Sequence, residues 1–300
     1  MKAITLNGKT LDWGSRTYIM GILNMTPDSF SGDGILSSSG IGNNDIDHAL
    51  AQARIFLESG ADILDVGGES TRPGSEPVKA EDEMKRVLPV IEAIAAEFPE
   101  ALISIDTFKA SVAEKAFAAG ARILNDVWAL RADPELPGTA ARHKVPVVLM
   151  HNRSSPANIE VRARLGSAYA AAKYDDLLAD VKQELMGSVR IAREAGIPEE
   201  HLILDPGIGF GKTVSQNLEL IDRLNEIREL GFPVLLGASR KSFIGYTLDL
   251  PPDQRVEGTA AAVAVGIVRG ADIIRVHDVK PLARVSRMAD SIVRHPISEG

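Results

Sequence analysis

Eight short apolar runs in this chain each end in a polar or charged cluster. They are Tyr18–Leu23 into Asn24, Asp62–Val66 into Gly67-Gly68-Glu69-Ser70, Ala101–Ile105 into Asp106, and Ile123–Leu124 into Asn125-Asp126. Then come Val145–Met150 into His151, Leu202–Leu204 into Asp205, Val234–Leu236 into Gly237 through Lys241, and Asp272–Ile274 into Arg275-Val276-His277. An unbroken apolar run is how a parallel strand buried on both faces reads, and helices fit between these runs. Strand ends and the loops after them build the active rim of a (β/α)8 barrel. The expectation is an α/β protein, a (β/α)8 TIM barrel over residues 1–300 as a single domain, with its chemistry on one polar rim.

At 300 residues the chain is long for one domain, but α/β barrels reach that size. A hydrophobic fraction of 45 % suffices for a large core. The net charge of −8 argues against nucleic acid, which needs a basic face. There are no cysteines, which excludes disulfides, thiolate metal sites and a thiol nucleophile. Apolar stretches fall well short of the roughly 20 residues of a membrane span, and the start lacks a signal-peptide core. A soluble, cytoplasmic protein without nucleic-acid or membrane partners is expected.

Asn7-Gly8 between Lys2–Leu6 and Lys9–Trp13 signals a hairpin of the I′ type, placed to cap the barrel's lower end. Apolar residues at helical spacing mark segments at Met84–Ala95, Leu178–Ala192 and Leu220–Ile227. Three loops are long, Met25–Asn44, Glu69–Val78 and Asn152–Gly166, and long loops on an active rim are usually lids or binding loops.

Asp205-Pro206-Gly207-Ile208-Gly209-Phe210-Gly211-Lys212-Thr213 is neither a Walker A loop, which needs glycine where Pro206 stands, nor a dinucleotide fingerprint, which needs it at Lys212. It reads as an aspartate at a strand end followed by a turn that lets backbone approach a flat ligand closely. Asp106, Asn125 and Asp205 each follow a strand and should share one bowl. Carboxylates that accept paired hydrogen bonds, beside an amide that donates and accepts, suit a planar heterocycle such as a pterin or guanine. The plain alternative for Asp106 is a helix N-cap. Ser239-Arg240-Lys241-Ser242 and Arg275-Val276-His277 are cationic, on the two loops where barrels often bind phosphate. Arg275 and His277, with Asn24 across the closure, could hold a diphosphate. Arg240 has a surface salt bridge as its alternative, and His277 a satisfied surface position. His151 reads as a base, a ligand or a packed residue, with no metal assigned. His48, His143, His201 and His295 read as structural.

Gly21-Ile22-Leu23-Asn24-Met25-Thr26-Pro27-Asp28-Ser29-Phe30 and Asp65-Val66-Gly67-Gly68-Glu69-Ser70-Thr71-Arg72-Pro73-Gly74 resemble two signatures of the dihydropteroate synthases. The motifs around Asp106, Asn125, Asp205, Lys241 and Arg275 follow in the family's order, so the resemblance runs from Tyr18 to about Val279. It implies that p-aminobenzoate displaces diphosphate from 6-hydroxymethyl-dihydropterin diphosphate to give dihydropteroate for folate synthesis. It also implies roles. Asp106, Asn125, Asp205 and Lys241 would bind the pterin edge, Val127 and Met150 line the pocket, and Arg275 cover a ring face. Asn24, Arg275 and His277 would hold the diphosphate, with Asn24 a ligand of a Mg²⁺ ion on its oxygens. Thr71, Arg72, Pro73, Phe210, Lys241 and Ser242 would shape the arylamine site. Asp106, Lys241, Arg275 and His277 would carry the chemistry, Asp106 by stabilising a pterin cation, while the loops after the first two strands close. A sulfonamide target and a homodimer complete the implication. The chain departs from the family at Ser31-Gly32-Asp33-Gly34, at Trp128 and at His151-Asn152-Arg153, where Arg153 adds charge near the rim. The alternatives are a methyltetrahydrofolate-type methyltransferase and a non-catalytic pterin-binding paralogue. The first should lack the 71–74 loop and the Ser239-Arg240-Lys241 cluster; the second should have lost Asn24, Asp106, Lys241 or His277.

Overall fold

Alternation along each apolar run decides which side chains face the barrel axis and which face the helices. The computed structural model describes residues 1–26, 43–71, 74–155 and 159–294. In chain order the elements are β1 (Ile4–Leu6), β2 (Lys9–Leu11), β3 (Tyr18–Asn24), α1 (Asn43–Glu58), β4 (Ile63–Gly67), α2 (Ala80–Glu97), β5 (Leu102–Asp106), α3 (Ala110–Ala119), β6 (Ile123–Asp126), α4 (Leu136–His143) and β7 (Val147–Met150). There follow β8 (Ile159–Arg162), β9 (Gly166–Tyr169), α5 (Leu177–Glu194), β10 (Leu202–Asp205), α6 (Val214–Asp222), α7 (Leu224–Arg228), β11 (Leu235–Leu236), α8 (Ser242–Leu248), α9 (Val256–Val268), β12 (Ile273–Val276) and α10 (Val279–Val293).

Eight of these strands form one parallel sheet in the order β10-β7-β6-β5-β4-β3-β12-β11. A parallel bridge between Leu204 and Val234, with the Leu204 amide donating to Pro233 O at 2.9 Å, joins the two edges and closes the barrel. Outward residues such as Leu64, Val66, Ile103, Ile105, Leu204 and Leu236 pack with the helices in one large core. Inward residues one position off, Met20, Ile63, Leu102, Ile123, Val148, Ile203, Leu235 and Ile273, form a second cluster inside the barrel.

Ile4, Leu11 and Trp13 from the N-terminal hairpin join that inner cluster, so the hairpin plugs the lower end as the sequence implies. Its turn residues Asn7 and Gly8 both have positive φ, 45° and 75°, the requirement of a type I′ turn. Two elements differ from the sequence reading. The apolar stripe over 220–227 is divided at Arg223, which leaves helical geometry (φ −104°, ψ 24°) and splits α6 from α7. The long segment after β7 is also no plain loop. It carries the antiparallel hairpin β8–β9, paired from Ile159 opposite Tyr169 to Arg162 opposite Gly166.

Candidate active site

Above the apolar floor, the next inward positions are Asp65, Ser104, Asn125, Met150, Asp205, Gly237 and Arg275, two residues beyond their floor residues. Register then sets a row across the rim: Asn24 is paired with Gly67, Gly67 with Asp106, and Asp106 with Asn125. Four residues meet there in one web. Arg275 donates through Nε to Asp65 Oδ2 at 2.6 Å and through Nη2 to Asp106 Oδ2 at 2.7 Å, and Asn125 Nδ2 donates to Asp65 Oδ2 at 3.0 Å. Burial pushes the Asp106 carboxyl well above the ordinary carboxylate range, against the pull of Arg275. Asp65 Oδ1, fully buried, has no hydrogen-bond partner among the described residues. A bare carboxylate oxygen in a bowl is costly, and a ligand's N–H would relieve that cost.

Asp106 is not a helix cap. The first helical amide, Ala110 N, is capped from another segment, by Asp133 Oδ2 at 2.8 Å, and this leaves Asp106 to the bowl. Its neighbour Asp126 is structural: it accepts from Trp128 N and Leu130 N and braces the β6 exit.

Across the bowl, Asp205 accepts from Gly207 N at 2.7 Å, and burial raises its pKa although Lys241 opposes the shift. Burial lowers Lys241 to about 8, with Asp205 acting against it. The ammonium donates to Ile208 O and lies 4.6 Å from the Phe210 ring centre. The glycine-rich turn also meets a packing requirement that spacing along the chain does not reveal. A Cβ on Gly207 (φ +69°) would stand 1.8 Å from His151 O, and one on Gly211 (φ +69°) 2.7 Å from Arg153 C. Gly207 and Gly211 let this loop pass the backbone leaving β7, and Gly209 (φ +87°) packs against the Lys241 side chain.

Under that loop Lys212 is buried and donates to Gly207 O, Phe210 O and His151 Nδ1. Burial drives Lys212 down to about 7 and His151 to about 4. A neutral His151 that accepts at Nδ1 carries its proton on Nε2, which faces Glu184 Oε2 at 3.1 Å. His151 is therefore a packed residue outside the bowl. Lys212 and Asp65 were named by sequence only as members of motifs.

One wall of the mouth is apolar. Val127, Met150 and Phe210 are buried together, with Phe108, Trp128 and Tyr169 against them. Trp128, one of the departures from the family pattern, thus packs into this apolar wall. Thr71 lies beside this wall, its carbonyl accepting from Tyr169 Oη at 2.9 Å. Ser242 opens α8, directly after Lys241. His277, two positions beyond Arg275, has Nδ1 at 3.0 Å from Ser239 Oγ.

With this geometry in view, the comparisons decide the family. The family model described as pterin binding enzyme matches residues 20–277. A dihydropteroate synthase of Bacillus subtilis is 49 % identical over 283 residues, covering 94 % of this chain and 91 % of that protein. The crystal structure of a Clostridium difficile dihydropteroate synthase in the presence of pteroic acid superposes with a TM-score of 0.83 at 43 % identity, covering 94 % of this chain and 99 % of that one. A Xanthomonas albilineans dihydropteroate synthase with 4-aminobenzoic acid gives a TM-score of 0.83 at 40 % identity and covers 96 % of both chains. The chain belongs to the dihydropteroate synthase family of pterin-binding enzymes. It is a transferase of that family and a TIM barrel, as the sequence resemblance implied.

Of two further cations near the rim, Arg240 takes the ion pair that the sequence offered as its alternative, and Arg153 turns away from its expected place. Arg240 forms a two-point ion pair with Asp278, at 2.9 and 2.6 Å, and so fastens the loop after β11 to the start of α10. Arg153 turns away from the rim toward α5, where it pairs with Glu184 at 2.5 Å and Asp180 at 3.1 Å and offsets no charge in the bowl. Glu69, in the loop after β4, is anchored by Lys109 and accepts from Val78 N at 3.1 Å. Arg72 and Pro73, expected at the arylamine site, lie outside the described residues, as do Pro27 to Phe30 and the Ser31-Gly32-Asp33-Gly34 departure. Among the described residues no helix is long and apolar enough to cross a membrane, and none group three or more histidine or acidic side chains around a possible ion. Mg²⁺ keeps several waters and is bound through one or two carboxylates plus substrate phosphates, so a neutral amide such as Asn24 would hold the ion only together with a diphosphate.

Proposed function

We propose that the barrel mouth joins 6-hydroxymethyl-7,8-dihydropterin diphosphate to p-aminobenzoate, releasing diphosphate and 7,8-dihydropteroate for folate biosynthesis. The observation that carries this is the web of Asp65, Asp106, Asn125 and Arg275 facing Asp205 and Lys241 across one bowl. Acceptors on one side and an ammonium on the other match the donor edge and carbonyl of a pterin. Val127, Met150 and Phe210 give its flat faces an apolar wall.

Asp205, Asn125 and Asp106 bind the pterin edge, and Lys241 its carbonyl. Arg275 moves from its acid partners to cover the ring and, with Asn24 and His277, to hold the diphosphate; Ser239 orients the imidazole. Thr71, Arg72, Pro73, Phe210, Lys241 and Ser242 shape the arylamine site. Asn24 would hold Mg²⁺ with the diphosphate oxygens; that ion, when bound, stabilises charge on the leaving group. Diphosphate leaves before attack, because the exocyclic carbon on an electron-rich ring carries a delocalised cation. Asp106 stabilises that cation electrostatically, and the neutral arylamine then attacks without a strong base. Closing loops after β3 and β4 keep water from trapping the cation.

The proposal extends to a homodimer in the cytoplasm built from one barrel domain per chain, a target for sulfonamides. Val265 and Val268 on α9 and Met288, Ile292 and Val293 on α10 leave apolar surface exposed on two helices packed against each other, which supports a covered face there.

The test measures dihydropteroate and diphosphate with and without p-aminobenzoate and Mg²⁺. Both products should form only in the complete mixture at the full rate, and diphosphate release that never yields dihydropteroate overturns the reaction. Asp106→Asn should lower kcat by about 10²-fold, the scale of losing one electrostatic stabiliser. Near-full turnover in that variant removes the cation-stabilising role.

A further inference from the structure

The β8–β9 hairpin is tied down on two sides of the mouth. At its base, Tyr169 Oη donates to Thr71 O at 2.9 Å, and the Ile159 side chain lies against Gly74, where an added Cβ would meet Ile159 Cδ1 at 3.3 Å. At its tip, the buried Arg255 guanidinium donates to Leu165 O and to Arg240 O, both at 2.9 Å, so one side chain pins the hairpin to the loop that carries Lys241 and Ser242. Tyr246 Oη donates to Gly166 O at 3.3 Å, Arg162 lies over the Tyr246 ring at 4.2 Å, and Arg164 pairs with Asp249. Just past the hairpin, Ala172 N donates to Gly211 O at 2.9 Å, which fixes the exit against the glycine-rich loop.

The hairpin therefore bridges three loops assigned to the arylamine: those of Thr71, of Phe210 and of Lys241-Ser242. Tyr169 stands where they meet. Its ring is 5.8 Å from Phe210, tilted by 30°, in the apolar wall, while its hydroxyl holds the Thr71 carbonyl. We infer that the hairpin is a fixed wall of the arylamine pocket and that Tyr169 is a positioning residue for that substrate, acting through Phe210 and Thr71. This rests on the reaction proposed above. Closing the pocket with a two-stranded element, not a bare loop, means that Phe210 is set before the arylamine arrives and that the loop of Thr71 closes onto a fixed partner, and affinity carries the benefit.

Steady-state kinetics of wild type, Tyr169→Phe and Tyr169→Ala, with each substrate varied in turn, test it. Removing only the hydroxyl should raise KM for p-aminobenzoate about threefold to tenfold, the equivalent of one hydrogen bond. Removing the ring as well should raise it further, by about tenfold to fiftyfold. In both variants KM for the pterin diphosphate and the thermal midpoint should stay within about twofold and 2 °C of wild type for a positioning role confined to one substrate. An active wild type with an unmoved p-aminobenzoate KM in both variants overturns the role of Tyr169 and leaves the reaction standing. Equal rises for both substrates also overturn it, since they report general loosening of the mouth. A wild type that forms no dihydropteroate overturns the reaction and this inference with it.

Discussion

Lys241 keeps its charge against burial, and the pH dependence of binding should show it. With its pKa lowered to about 8, the ammonium is charged below that pH and neutral above it. Asp205 runs the other way: burial raises it, so its carboxylate is lost on acidification sooner than an ordinary one, near pH 4, would be. If both must be ionised to hold the pterin, kcat/KM for the pterin diphosphate should follow a bell. It should fall as pH rises through about 8, and fall on the acid side above the ordinary carboxylate range. Lys241→Arg should lower the plateau but remove the alkaline fall, because a guanidinium does not titrate there; a pH profile of initial rates checks both. The exits of the strands pointed to Asp106, Asn125, Asp205, Lys241, Arg275 and His277, and the structure brings the first five around one bowl with His277 beside it. Asp65 stands inside an apolar run, not at its end, so the strand exits do not point to it. The signal was available: a carboxylate two residues after Ile63, on the same inward face, has no place in a barrel floor unless it belongs to a polar layer. Lys212 had no such signal, because its partners are backbone carbonyls and a histidine 61 positions away.

The loops show where element-level reading stops. Glycine content marked the turn after β10, yet its cause was the neighbouring backbone, which spacing along one chain does not reveal. That cause makes a sharp prediction. Gly207→Ala places a methyl 1.8 Å from His151 O in a left-handed backbone conformation, so the turn must move. The left-handed cost alone is about 1–2 kcal/mol, and the clash adds to it. Thermal unfolding should show a midpoint lower by at least several degrees, on a scale of about 2–4 °C per kcal/mol for a chain near this size. Gly196→Ala is the control: with φ +88° and nothing within 4 Å of an added Cβ, it should show only the conformational cost. Equal losses in the two variants would falsify the backbone-contact account. The N-terminal hairpin was legible because Asn-Gly demands positive φ at both positions, and flanking apolar residues supply the plug. The β8–β9 hairpin was not, because its outer strand is exposed throughout and its turn holds no such dipeptide, so neither burial nor a turn signature marks it.

Taken as a whole, the barrel separates its functions by height. The hairpin plug and the apolar floor form one buried cluster, and the layer to which we assign binding stands two residues above it. Trp13→Ala should therefore cost about 3–5 kcal/mol of stability while leaving both KM values unchanged, provided the assay temperature stays below the lowered midpoint. The outer surface follows a separate logic. Met288 and Ile292, 62 % and 67 % exposed on α10, stand one helical turn apart and are the centre of the face proposed to be covered. Sedimentation velocity should find the wild type as a dimer at micromolar concentration and the Met288→Asp, Ile292→Asp double variant as a monomer, because two carboxylates per chain cannot be buried unpaired in a symmetric interface. If the bowl works within one chain, the monomeric variant should keep kcat within about twofold while its barrel is otherwise intact. A double variant that remains a dimer places the interface elsewhere on the helical ring. A monomer that loses turnover without losing its thermal midpoint would mean that a neighbouring copy steadies the mouth through α9 or α10, the helices flanking the strand that carries Arg275.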